Sequence, residues 1–285
     1  VKNRAVGKKT RESDTHRRFH FKARDMTIHP TSCVSHARPG LNKLVFGVAT
    51  ALALLGTAPA MAAVVNFESL APDAIYVGGD TLAESGFTLQ SVDNHGGTSG
   101  ATGLLVNGMD PTSCWLGGCP TNNTSHFFLG LNDGGVTVTK TDGGLFSLRS
   151  LDYGFVAPFG GLPNFSYGQL MLTGNLANGT TVGMSLDFPG MDASGNPLFD
   201  TATLPTAFGH TQLTGLTIRA CLFDGNGGCT VAQDWSDPSI YQAQFAIDNV
   251  ALAEVPEPGS LALIGLGMGA LALRRRKAAS PSTQA

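Results

Sequence analysis

The sequence predicts an all-β domain, a β-sandwich with a jelly roll as the expected form, between an N-terminal signal-peptide helix and a C-terminal transmembrane helix. Three observations predict the sandwich. No amphipathic helical period runs through residues 64–252. Short alternating or apolar runs recur there instead. Gly, Asn, Asp and Pro separate those runs, where turns need them.

Candidate strands cover 64–67, 87–92, 127–131, 136–139, 146–153, 169–173, 180–188, 213–222 and 244–252. Between them lie Asn132-Asp133-Gly134-Gly135, Thr141-Asp142-Gly143-Gly144 and Ala177-Asn178-Gly179. Asn-Gly and Asp-Gly pairs supply the positive φ that hairpin turns require. No fixed-period repeat is present, which argues against a solenoid or propeller. The exported part, 63–254, is a folded domain of ordinary size.

Charge is segregated along the chain. Of 18 Lys and Arg, 11 lie in residues 1–43 and four more are Arg274, Arg275, Arg276 and Lys277. Residues 63–254 keep only Lys140, Arg149 and Arg219 against 17 acids, a formal charge of −14. Basic ends around an acidic middle suit a chain handled by a membrane at both ends. Such a middle repels nucleic acid and anionic lipid, because almost nothing in it can neutralise phosphates. Cations or neutral polymers are its natural partners.

Residues 41–62 read as a signal peptide. Lys43 gives a short positive start, 44–55 is uncharged and apolar, and Ala60-Met61-Ala62 is an A-x-A peptidase site. The apolar stretch is too short to span a bilayer comfortably. Residues 1–40 are basic and without period, and read as a non-globular leader or a gene-model extension, with Met26 an alternative start. Arg17-Arg18 resembles a twin-arginine signal, but the apolar region begins too far downstream of it.

The C-terminal tail has three parts in order: Pro256-Glu257-Pro258, an uncharged run over 259–273, and the basic cluster Arg274–Lys277. The prolines hold an extended, accessible segment. Fifteen helical residues rise about 22 Å, somewhat less than a bilayer core, and snorkelling arginines absorb the shortfall. By the positive-inside rule the cluster stays cytoplasmic, with 278–285 a short cytoplasmic tail.

This arrangement resembles the PEP-CTERM sorting domain, also labelled an ice-binding-protein C-terminal domain. The resemblance covers residues 255–277. It implies export, recognition of Pro-Glu-Pro by an exosortase (a membrane cysteine protease), and transient residence in the inner membrane. It also implies a Gram-negative host that makes exopolysaccharide, with the cell surface or matrix as destination. The domain's ends are similar to those of secreted PEP-CTERM proteins: Val-Asn-Phe-Glu-Ser-Leu at 65–70 and Gln-Phe-Ala-Ile-Asp-Asn-Val-Ala-Leu at 244–252. In jelly-roll carbohydrate-binding modules the first and last strands often lie side by side. That analogy makes Glu68 and Asp248 candidate ligands of a structural calcium. The plainer reading, that both are edge or turn acids, is favoured.

Four cysteines remain in the exported part. Local pairing, Cys114 with Cys119 and Cys221 with Cys229, is the simplest of three connectivities. A zinc site is the rival, but no histidine has the companion spacing. Asp224-Gly225-Asn226-Gly227 resembles half a calcium loop and reads better as a tight turn. Trp115 and Trp235 lie in polar, loop-like contexts and are the better candidates for stacking on sugars, ahead of Tyr76, Tyr153, Tyr167 and Tyr241. No Gly-x-Ser-x-Gly elbow or His-Glu-x-x-His helix is present. The expectation is therefore a non-enzymatic surface or matrix protein associated with exopolysaccharide, with a carbohydrate-binding module as its refinement. A polysaccharide hydrolase and a calcium-stabilised adhesin are the alternatives.

Overall fold

The computed structural model describes residues 62–94, 100–110, 112–114, 118–231 and 241–254, together with 264, 265, 267–269 and 271 of the tail. The described strands are β1 (Ala62–Val65), β2 (Ile75–Val77), β3 (Thr81–Glu84), β4 (Phe87–Val92), β5 (Ala101–Asn107), β6 (His126–Gly130), β7 (Gly135–Lys140), β8 (Phe146–Phe155), β9 (Gly168–Asn175), β10 (Thr181–Asp187), β11 (Phe199–Thr201), β12 (Gly215–Phe223), β13 (Cys229–Thr230) and β14 (Phe245–Glu254). One helical turn, α1 (Thr206–Gly209), lies between β11 and β12.

Two antiparallel sheets form a sandwich, as the sequence predicts. The first runs β11-β8-β14-β6-β5-β2, with β1 also beside β14; the second runs β10-β9-β12-β7-β4-β3, with β13 beside β12. The first and last strands do lie side by side, with Ala62 opposite Ala253 and Val65 opposite Val250.

All nine expected strands are present, with ends shifted by a few residues. Their patterns explain why they were visible. Along β4, Phe87, Leu89 and Ser91 turn inward, and along β9 the buried positions are Gly168, Leu170, Leu172 and Gly174. Strands β2, β3, β5, β11 and β13 and the turn α1 were not expected. The longest of them, β5, has no alternation, because Thr102–Val106 is buried on both faces. The inner face of its sheet packs into the main core; the outer face at Leu104, Val106, Phe127 and Leu129 forms a second cluster, with Cys114, Cys119 and Phe199 against it.

The main core is built on Phe67, Phe87, Phe128, Phe146 and Phe245, all at most 1% exposed. Each such ring contributes on the order of 2–3 kcal/mol by leaving water. Two glycines make room for them. A Cβ on Gly103 would stand 2.6 Å from Phe128 Cζ, and one on Gly130 would meet the Phe245 ring directly.

The predicted turns are tight ones. Gly143 and Gly179 take positive φ, whereas at the first turn it is Asn132 and Asp133 that do so. Short polar side chains tolerate that region best among non-glycine residues. Asp224 accepts the backbone N–H of Asn226 at 2.7 Å and of Gly228 at 2.9 Å, so the half calcium loop is the turn of the β12–β13 hairpin.

Candidate functional site

A polar cleft of about 360 Å³ opens beside the outer edge of the first sheet. The segment 122–124, strand β11 with Asp200 and Thr201, Asp152 of β8 and Asn249 of β14 line it. Asn122, Asp152, Thr201 and Asn249 are each held by a partner on another element. The Asn122 amide accepts the Phe199 N–H at 2.6 Å and donates to the Phe199 carbonyl at 3.0 Å, clamping the segment to β11. Thr201 Oγ1 donates to Asp152 Oδ1 at 2.6 Å, and Asn249 Nδ2 donates to Asp152 Oδ2 at 2.8 Å.

Behind the cleft lies Asp248, fully buried. Its Oδ2 accepts Asn123 Nδ2 at 2.8 Å and Ser125 Oγ at 2.6 Å, and its Oδ1 accepts the Asn249 N–H at 2.7 Å. Burial pushes this carboxyl above the usual range, against the pull of those hydrogen bonds. The register shift after Asp248 and the left-handed φ of 46° at Asn249 re-aim the strand there, as bulges do.

Glu68 meets the same segment from the other end. Its Oε1 accepts the His126 N–H at 2.8 Å, and Oε2 lies 4.0 Å from His126 Nδ1. The two candidate calcium ligands thus converge on residues 123–126 through different atoms. Among the described residues, no group of three or more His, Cys, Asp and Glu is placed to hold a metal ion. Asp248 is also no edge acid: it sits in β14, which has β8 on one side and β6 and β1 on the other.

Cys114 and Cys119 are joined by a disulfide, as are Cys221 and Cys229. The first lines a second cleft with Asn107, Asp110, Thr121 and Asn196. The three cations of the domain are all engaged. Lys140 pairs with Asp142 and Glu254, Arg149 donates to the Gly209 carbonyl, and Arg219 donates to the carbonyls of Asp93 and Asp133.

Of the tyrosines considered for stacking, Tyr153 is buried and donates to the Asp187 carbonyl, and Tyr76 packs on Phe128. Trp115, Trp235, Ala60, Pro256, Glu257, Pro258 and Arg274–Lys277 lie outside the described residues, as do the leader and most of the signal peptide; Ala62 is the first residue of β1. The described residues of the expected transmembrane segment are helical, and no helix among the described residues is long and apolar enough to cross a membrane.

Sequence reading missed the cleft. Asn123 and Asp248 are 125 positions apart, and only the β6–β14 pairing joins them. The local signal is an Asn-Asn-Thr run at 122–124, which by itself points to no cleft.

Fold and tail together define a class: an exported β-sandwich protein carrying a C-terminal sorting signal. Residues 254–277 match the PEP-CTERM protein-sorting motif, which marks the chain for exosortase processing as it passes through the membrane. No curated protein matches the chain in sequence. Among solved structures it is similar to the enzymatically active domain of tailspike protein 4 of bacteriophage CBA120, at 14% identity and a TM-score of 0.26. That likeness covers 60% of this chain and 20% of the tailspike chain, so the match spans about a fifth of that protein.

Proposed function

We propose that the exported domain is a non-catalytic surface or matrix module that associates with exopolysaccharide after its tail has been processed. The observation that carries this reading is the PEP-CTERM motif, which starts at the last residue of β14 and so ties the sandwich to the sorting route. The charge of the domain argues against an anionic partner: 17 acids outnumber three cations, and those cations are held by the domain's own carbonyls and carboxylates.

The test is fractionation of the host with and without its exosortase. A shortened protein outside the inner membrane, co-sedimenting with exopolysaccharide only in the exosortase-bearing strain, is the expected outcome. Full-length protein in the inner membrane of both strains would overturn it. Reducing ends released by the protein, and lost on Asp152→Asn or Asp200→Asn, would replace it with a polysaccharide hydrolase. A melting temperature lowered by EDTA would favour the calcium-stabilised adhesin.

A further inference from the structure

The connection between β8 and β9 holds no charged residue: 156–167 reads Val-Ala-Pro-Phe-Gly-Gly-Leu-Pro-Asn-Phe-Ser-Tyr. Three aromatic rings leave the core through it. Phe155, at the end of β8, is 2% exposed. Tyr167 stacks on it with centroids 5.7 Å apart and planes at 12°. Phe165 stacks on Tyr167 at 4.0 Å and 29°, and is itself 52% exposed.

The loop around this column is pinned. Tyr167 Oη donates to the Pro163 carbonyl at 3.1 Å, and Ser166 Oγ to the Gly168 carbonyl at 3.0 Å. Asn164 Oδ1 accepts the Met191 N–H at 2.7 Å, and the Gly161 and Leu162 N–H groups both donate to the Gly195 carbonyl. The outer ring is therefore ordered before any ligand arrives, which lowers the entropic cost of binding.

We propose that Phe165, backed by Tyr167 and Phe155, is a stacking platform for the pyranose rings of a neutral polysaccharide. This rests on the glycan-associated reading above and gives it a place on the surface. A pyranose presents a flat C–H face that matches an aromatic ring. Charge excludes anionic occupants. A polyuronate or an anionic membrane meets a domain of formal charge −14 whose cations are already paired. A second copy carries the same −14 and is repelled likewise. A neutral chain meets no such penalty, and the uncharged loop offers only hydroxyl, amide and backbone groups at its rim.

The experiment is affinity electrophoresis of the full chain in detergent. The gels contain galactomannan, hydroxyethyl cellulose, dextran, the host's own exopolysaccharide, or polygalacturonate as the anionic control. Retardation by at least one neutral polymer and none by polygalacturonate is expected. Phe165→Ala should weaken that retardation about tenfold, the loss of one stacked ring, while the domain still unfolds in one cooperative transition only slightly below the parent's, since the Phe165 stack on Tyr167 is lost. Phe165→Trp should keep it. Equal retardation of Phe165→Ala and the parent overturns the platform while leaving the matrix reading intact. No retardation of the parent by any of the neutral polymers or the host's polysaccharide sinks the glycan reading itself. A sedimentation coefficient that falls on Phe165→Ala would make the ring a self-association contact and overturn the proposal.

Discussion

At the scale of single residues, the acids of this domain divide by what surrounds them. Asp192 and Asp224 sit in turns, where backbone N–H groups, of Asn196 and Asn226 foremost, hold their carboxyls below the usual range. Such acids stabilise the fold above the unfolded pKa and lose that contribution as pH falls through the folded value. Asp248 works in the opposite sense. Burial raises its folded pKa, so its titration favours the native state most below about 3.8, and that advantage fades as pH rises through the raised value. Asp248→Asn removes the titration and turns an amide NH₂ either toward the donors of Asn123 and Ser125 or, flipped, toward the Asn249 N–H. The substitution should cost about 1–3 kcal/mol in mild acid and less at pH 7. Melting curves of both proteins at pH 4 and pH 7 check this; a deficit that grows toward pH 7 would contradict it. Gly130 is a second sensitive position. Its Cα faces Phe245 across the β6–β14 pair, and an added Cβ would collide with a ring that is 0% exposed and has nowhere to go. Gly130→Ala should cost about 1–3 kcal/mol by overpacking, read as a lower midpoint in urea. An unchanged midpoint would mean that the two strands part easily.

At the scale of elements, what was legible in the sequence follows burial. Strands with one wet face announce themselves by alternation, as β4 and β9 do. A strand covered on both sides does not. Residues 101–107 read as a Gly-interrupted apolar run, and only the outer cluster of Leu104, Val106, Phe127 and Leu129 shows why. The cleft was hidden for another reason: its members come from four separate stretches, brought together by the pairing of β8 with β11 and β14. The cysteines were legible because both bridges are local, spanning 5 and 8 positions. Cys221–Cys229 closes the β12–β13 hairpin, a two-residue pairing whose turn is also tied by Asp224. Removing the bridge with Cys221→Ala and Cys229→Ala together should cost about 2–4 kcal/mol if the loop-entropy account applies. Hydrogen exchange should then accelerate at residues 222–230 before anywhere else in the second sheet. Uniform acceleration across that sheet would show that the bridge supports β12 itself.

At the scale of the whole molecule, β14 joins fold and sorting. It pairs with β8 on one side and with β6 and β1 on the other, so the last strand made completes the first sheet. Glu254 ends it, paired with Phe146 and reached by Lys140 at 3.4 Å. Pro256 follows two positions later, and two extended residues span only about 7 Å. An enzyme that acts on the motif after the domain has folded works close to the end of β14. The opposite strand begins at the same place, with Ala62 facing Ala253. Glu254 and its neighbours can yield room only by breaking ladder hydrogen bonds, which slows access to the motif without preventing it. Ten Gly and Ser residues inserted after Glu254 supply that room at no such cost. In a host with its exosortase, pulse-chase labelling should then show faster loss of the tail than in the parent chain, at equal final yield. Slower or unchanged conversion would show that the protease tolerates the folded edge, or uses it to find the motif.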